Sequence, residues 1–226
     1  MKKKNSKTIL AALGTLAAFA LWTFLIRCVD VQPIGPNGSR VDFAAINGAF
    51  HALTGVHWAL YTLTDWLGLV PIGIALGFAV LGLVQLIRRK SLLKVDRDIL
   101  ILGGFYIVVL AAYLLFETVV INFRPVLIDG KLEASYPSST TMLALCILPT
   151  AMMQLKTRIR SDAVRCAILG ILAAFTVFMV VGRLISGVHW LTDIIGGVLL
   201  SVGLVMLYAF ATKRQGKSRE NFPDTV

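Results

Sequence analysis

Charge is what this sequence has least of: 15% of its 226 residues are Asp, Glu, Lys or Arg, against roughly a quarter in an ordinary soluble domain. Hydrophobic residues make up 57% and the mean hydropathy is +0.80, so a membrane class is the first inference. Cysteine is scarce as well. Cys28, Cys146 and Cys166 are odd in number and without metal-ligand spacing, which excludes a disulfide framework. No Walker, zinc or two-metal spacing occurs, which disfavours nucleotide hydrolysis and metallophosphatase chemistry, and neither a metal nor a cofactor is expected. Charged residues in mid-span, which pumps and exchangers usually show, are few.

What charge there is leans basic, with 22 Lys and Arg against 12 Asp and Glu and a formal net charge of +10. A nucleic-acid partner is not expected, because the basic residues fall in short clusters between apolar runs and not on one soluble face. The clusters are Lys2, Lys3, Lys4 and Lys7; Arg88, Arg89, Lys90, Lys94 and Arg97; Lys156, Arg158, Arg160 and Arg165; and Lys213, Arg214, Lys217 and Arg219. The positive-inside rule places all four, and hence both termini, in the cytoplasm. The first apolar run lacks a small-x-small cleavage site and reads as a retained span.

Six spans are expected, at about 9–26, 67–87, 99–121, 140–155, 164–181 and 191–211, forming a single all-α membrane domain over 1–226 with a cytoplasmic tail from 212. Glycines in the second and sixth spans suit close helix approach. Three segments remain on the outer side: 28–66, 122–139 and a tight 182–190. In the first, Phe43, Ile46, Phe50, Leu53, Val56 and Leu60 recur at helical spacing, which predicts an interfacial amphipathic helix between spans 1 and 2.

The outer segments carry the chemistry. Asn122-Phe123-Arg124-Pro125 leaves a guanidinium where the third span ends. Tyr136-Pro137-Ser138-Ser139-Thr140-Thr141 opens the fourth helix with hydroxyls, which serve either as plain caps or, with the free N–H groups of a helix start, as an anion site. In Arg183-x5-His189-x3-Asp193, a helix beginning near His189 puts Asp193 one turn on, where its carboxylate can hold one imidazole nitrogen and leave the other free. Arg183 is a planar cation suited to phosphate oxygens.

The order Arg-Pro, Pro-Ser-Ser-Thr, Arg-x5-His-x3-Asp resembles the type-2 phosphatidic acid phosphatase family, lipid phosphate phosphatases related to vanadium haloperoxidases. That family's pattern is Lys-x6-Arg-Pro, Pro-Ser-Gly-His and Ser-Arg-x5-His-x3-Asp on a six-span core. The resemblance implies His189 as a nucleophile forming a phosphohistidine, Asp193 as its orienting partner, and Arg124, Arg183 and Ser138, with Ser139 and Thr140, as phosphate ligands. Three positions depart from it. Glu117 stands at the lysine, Gly182 at the serine before the arginine, and Ser139-Thr140 at Gly-His. Threonine has no proton to lose near neutral pH, so Thr140 cannot inherit the role of general acid. Lys131 is a candidate replacement for the lost cation, His51 and His57 are candidate proton donors, and Tyr136 completes the accessory set.

The function implied is a cell-membrane, multi-pass lipid phosphatase acting on a lipid phosphate or polyprenyl diphosphate from the extracytoplasmic side, with membrane lipids as its other partners. Two alternatives stay open: a lipid phosphotransferase using a second lipid or sugar acceptor, and a non-catalytic phospholipid-binding or carrier protein that kept the anion pocket. The oligomeric state is left open.

Overall fold

The computed structural model describes residues 2–220, with side chains over 6–212. The described residues form eight α-helices: α1 Lys2–Ile26, α2 Ala44–Thr54, α3 Trp58–Leu67, α4 Leu69–Arg89, α5 Arg97–Thr118, α6 Ser139–Arg158, α7 Asp162–Ile185 and α8 Leu191–Glu220. Among the described residues two short 3-10 turns, Pro36–Gly38 and Leu92–Lys94, and isolated β-bridges accompany them, in keeping with an all-α reading. Among the described residues five stretches are long and apolar enough to cross a membrane: Ser6–Ile26, Trp58–Arg89, Arg97–Thr118, Asp162–Ile185 and Leu191–Thr212. Their exposed faces are lined with large apolar residues such as Leu10, Leu76, Ile107 and Ile171, which suits a lipid surround.

The fourth expected span, α6, differs from the other five because it is the centre of the bundle. It packs against α4, α5, α7 and α8 and buries Thr141, Met142, Ala144, Cys146, Leu148, Thr150, Ala151 and Gln154. A helix enclosed by protein need not be greasy all round, provided its polar groups are paired. Here Gln154 Nε2 donates to Tyr208 Oη at 2.7 Å, and Thr150 Oγ1 donates to the Cys146 carbonyl at 2.7 Å. On the outside of this core, α1 runs along α8, where Gly203 allows the approach: a Cβ there would stand 2.6 Å from Leu16 Cδ2.

Several boundaries move from the sequence-based expectation. The third span was expected to reach Ile121, but α5 stops at Thr118, and the chain leaves it extended so that Asn122 can donate to Asp42 Oδ1 at 2.6 Å. The fifth was expected to stop at Val181, but α7 continues to Ile185 and carries Arg183 in its last turn, outside the tight loop assigned to it. The single amphipathic helix expected over 43–60 is two helices, α2 and α3, broken at Gly55 (φ +65°). Helix α3 then runs into α4 through Gly68. The segment expected as a tail is helical to Glu220, and the remainder lies outside the described residues. So do the side chains of Lys2, Lys3 and Lys4 and of Lys213, Arg214, Lys217 and Arg219.

The two described basic clusters share one end of the bundle. Arg158, closing α6, pairs with Asp98 at the start of α5 at 2.5 Å, and Arg89, closing α4, pairs with Asp96 at 2.8 Å. The connections that carry the chemical motifs gather at the opposite end.

Candidate active site

Each functional side chain reaches the site through a short irregular segment braced on a helix end. After α5 the chain folds back on itself over 122–135. Arg124 N–H donates to the Glu133 carbonyl at 3.1 Å and Ser135 N–H to the Asn122 carbonyl at 2.9 Å, with an antiparallel bridge between Phe123 and Ala134. This narrow fold sets Arg124 beside Ser135. The loop 186–190 joins α7 to α8 and turns at Gly187 (φ +70°), where a Cβ would lie 1.9 Å from the Gly55 carbonyl oxygen. The break between α2 and α3 is thus the seat of the loop that bears His189, and His57 N–H donates to the Ser186 carbonyl across it at 3.0 Å.

His189 is buried between two partners. Its Nε2 lies 3.2 Å from Arg124 Nη1, and its Nδ1 lies 3.1 Å from Ser135 Oγ. The expectation that Asp193 holds the imidazole directly is corrected by the geometry: Nδ1 to Oδ2 is 3.7 Å, too long for a hydrogen bond. Ser135 stands between them and donates to Asp193 Oδ2. The same carboxylate oxygen accepts the Trp190 N–H at 2.8 Å at the start of α8. Burial pushes the His189 imidazole well below its ordinary pKa, and the positive charges of Arg124 and Arg183 push it the same way, against a hydrogen bond to the Ser135 backbone. The ring is therefore neutral at neutral pH, with a lone pair at Nε2.

Both arginines are engaged. Arg183 is 1% exposed, and its Nη1 donates to Thr64 Oγ1 at 3.3 Å and to the Tyr61 carbonyl at 3.4 Å. Its Nη2 pairs with Asp65 Oδ1 at 3.3 Å, and the guanidinium sits 4.8 Å from the centroid of the Tyr61 ring. Arg124 pairs through Nε with Glu133 Oε2 at 3.2 Å without hydrogen-bond geometry. Buried Nε–H donors of Arg124 and Arg183 thus have no hydrogen-bond partner among the described residues.

The second motif is placed differently from its expected role. Ser138 is fully buried; its hydroxyl donates to Thr141 Oγ1 at 3.1 Å and its N–H to the Asp193 carbonyl at 3.1 Å, so neither is offered to a ligand. Ser139 does line a small pocket, together with Glu117, Tyr113, Ser135, Tyr136 and His189. Thr140 is outside that lining, its methyl turned toward Gly68 at the α3–α4 junction. Tyr136 is a brace: its hydroxyl bonds Thr23 Oγ1 at 2.7 Å, and its ring occupies the space over Gly196. Lys131 is exposed at the tip of the Ile128–Lys131 turn and is not brought into the pocket lining. His57 Nε2 is taken by the Thr54 carbonyl at 2.8 Å, while His51 lies behind Trp190, with ring centroids 5.5 Å apart.

Reading the sequence alone missed Ser135, the α3 set Tyr61, Thr64 and Asp65, the Glu133 partner and a buried polar network beneath the loop. In that network Asn47 Nδ2 donates to the Asp42 carbonyl at 2.8 Å and to Thr192 Oγ1 at 2.9 Å. Burial pushes the Asp42 carboxyl up despite its hydrogen bonds. The only available signal was polarity inside otherwise apolar stretches, at Asn47, Thr64 and Asp65.

No curated protein matches the chain. Among solved structures it is similar to that described as the crystal structure of the first transmembrane PAP2-type phosphatidylglycerolphosphate phosphatase from Bacillus subtilis. The two share 20% identity over 95% of this chain and 98% of that one, with a TM-score of 0.49. The family model of the PAP2 superfamily matches residues 105–217, a stretch running from within α5 through α8. Since the match spans half of the chain and takes in Arg124, Arg183, His189 and Asp193, the chain belongs to the PAP2 superfamily.

Proposed function

We propose that the chain is a membrane lipid phosphatase that takes phosphate from a lipid phosphate or a polyprenyl diphosphate, on the extracytoplasmic side, through a phosphohistidine at His189. The observation that carries this reading is the buried His189 with its Nε2 3.2 Å from Arg124 Nη1, in a site where the Nε–H of each arginine has no hydrogen-bond partner among the described residues. Buried donors without partners ask for an acceptor, and a phosphoryl group offers several oxygens to guanidinium groups. In the first step the phosphorus–Nε2 bond forms as the bond to the lipid oxygen breaks, and the electron pair leaves with that oxygen. Water then attacks phosphorus and gives up a proton to solvent, and the pair of the P–N bond returns to Nε2. Positioning and charge stabilisation by the arginines are the main catalytic terms.

Thr140 cannot protonate the leaving group, which favours a diphosphate: it expels a phosphate monoester, a weaker base than the alkoxide expelled by a monoester substrate. Phosphate release and lipid products from a panel of lipid mono- and diphosphates, with wild type and His189→Ala side by side, test the reading. Release is expected from wild type alone and faster from diphosphates. Equal release by the two proteins overturns the nucleophile, and a preference for monoesters overturns the substrate assignment.

A second reading, phosphoryl transfer to an amine-bearing lipid or a sugar, is favoured by the acidic border of the site. Glu133 and Asp65 pair with the two arginines and Glu117 lines the pocket, an arrangement that would welcome a cation beside the phosphate. Appearance of a phosphorylated acceptor in place of free phosphate selects it.

A further inference from the structure

The hydrogen-bond directions around His189 have one consistent solution. A guanidinium can only donate, so Nε2, 3.2 Å from Arg124 Nη1, accepts and bears no proton. A neutral imidazole then carries its proton on Nδ1, and the oxygen 3.1 Å away is Ser135 Oγ. The same hydroxyl bonds Asp193 Oδ2, and since a carboxylate only accepts, Ser135 donates there. Its lone pair is thereby left to receive the Nδ1 proton. Ser135 is itself fixed, 2% exposed and anchored by its N–H to the Asn122 carbonyl at 2.9 Å.

We propose that Ser135 is a positioning residue through which Asp193 acts on His189. Its hydroxyl relays the carboxylate to Nδ1, locks the imidazole in the Nδ1–H tautomer and aims Nε2 at phosphorus. This rests on the phosphohistidine reading. No proton moves along the relay. The Nδ1 proton stays in place while Nε2 bonds to phosphorus, and the positive charge that then forms on the ring is stabilised by the polarised Ser135–Asp193 pair. The charged groups around the ring are Arg124 from the 122–135 fold, Arg183 from α7, Asp193 from α8 and Glu117 across the pocket, with the titratable His51 behind Trp190.

Removing an outer partner that orients an imidazole costs about 10- to 100-fold where the imidazole is a metal ligand, and a fall in kcat of that order with little change in KM is expected for Ser135→Ala. Because a hydroxyl polarised by Asp193 and accepting from Nδ1–H favours the charged ring, its loss should also move the acid limb of kcat/KM to lower pH, a change that loosened packing alone does not produce. Ser135→Thr should restore most of the rate, and Asp193→Asn should cost much less in the Ser135→Ala background than alone. A Ser135→Ala enzyme with wild-type kcat and an unmoved acid limb, or fully additive losses with Asp193→Asn, overturns the relay. If Ser135→Ala does not fold, ¹⁵N NMR of the wild-type histidines decides: Nδ1–H at His189 supports it and Nε2–H overturns it. His189→Ala is the separate control, since activity surviving there removes the phosphohistidine and not the relay, which the tautomer reports independently.

Discussion

At His189, burial and the charges of Arg124 and Arg183 act in one direction and a hydrogen bond to the Ser135 backbone acts in the other. Protonating Nε2 removes the lone pair, and the folded-state pKa lies below the usual value of about 6.5. Activity should therefore hold as pH falls through 6.5 and decline only at lower pH; a kcat/KM profile with its acid limb above 6.5 contradicts this. At Arg183 the guanidinium's shape matters as much as its charge, because it spans Thr64, the Tyr61 carbonyl and Asp65 while lying on a ring. Lysine supplies the charge without the fork, so Arg183→Lys is expected to lower kcat by about 10²- to 10³-fold, the range for losing a transition-state donor. Steady-state phosphate release measures it. Sequence made Arg183, His189 and Asp193 visible through their spacing. Ser135 had no such signal, because a serine two residues before a proline is common and only the fold-back onto Asn122 puts it beside Nδ1.

Among the elements, the α2–α3 break and the His189 loop form one unit. Gly187→Ala combines a disfavoured positive φ with a Cβ aimed at the Gly55 carbonyl, and backbone cannot give way as a flexible side chain can. We expect a loss of about 1–3 kcal/mol and an activity loss greater than the shift in thermal midpoint implies, read from melting in detergent and from rate. Gly203→Leu tests a different contact. It forces α1 away from α8, where Leu16 occupies the space, and should lower the melting midpoint while leaving KM unchanged. Hydropathy made α1, α4, α5, α7 and α8 legible, because a lipid-facing helix advertises itself in every turn. It described α6 less well, since a helix enclosed by others is chosen for fit and paired polar groups, such as Gln154 with Tyr208. The amphipathic period over 43–60 was real but carried no mark of the break, which is set by the loop approaching Gly55.

At the scale of the molecule, the described basic clusters occupy one end and the candidate site the other. On the positive-inside rule we propose that the site faces away from the cytoplasm. In a cysteine-free background, Lys131→Cys should react with a membrane-impermeant maleimide in intact cells, and Lys90→Cys only after permeabilisation. The reverse pattern inverts the topology.

Composition, apolar run length and the spacing of Arg124, Arg183, His189 and Asp193 determined by themselves that this is a membrane-type helical protein with a phosphate-handling motif, because lipid solvation and helical periodicity are local properties that each segment expresses alone. The tertiary structure decided what completes the site. It interposed Ser135 between His189 and Asp193, set Asp65 and Glu133 against the arginines, and turned Ser138 inward and Thr140 toward Gly68. Those choices depend on which helix ends meet around α6, and a hydrogen bond between residues 54 apart, like that of Ser135 to His189, leaves no periodic trace in the chain that forms it.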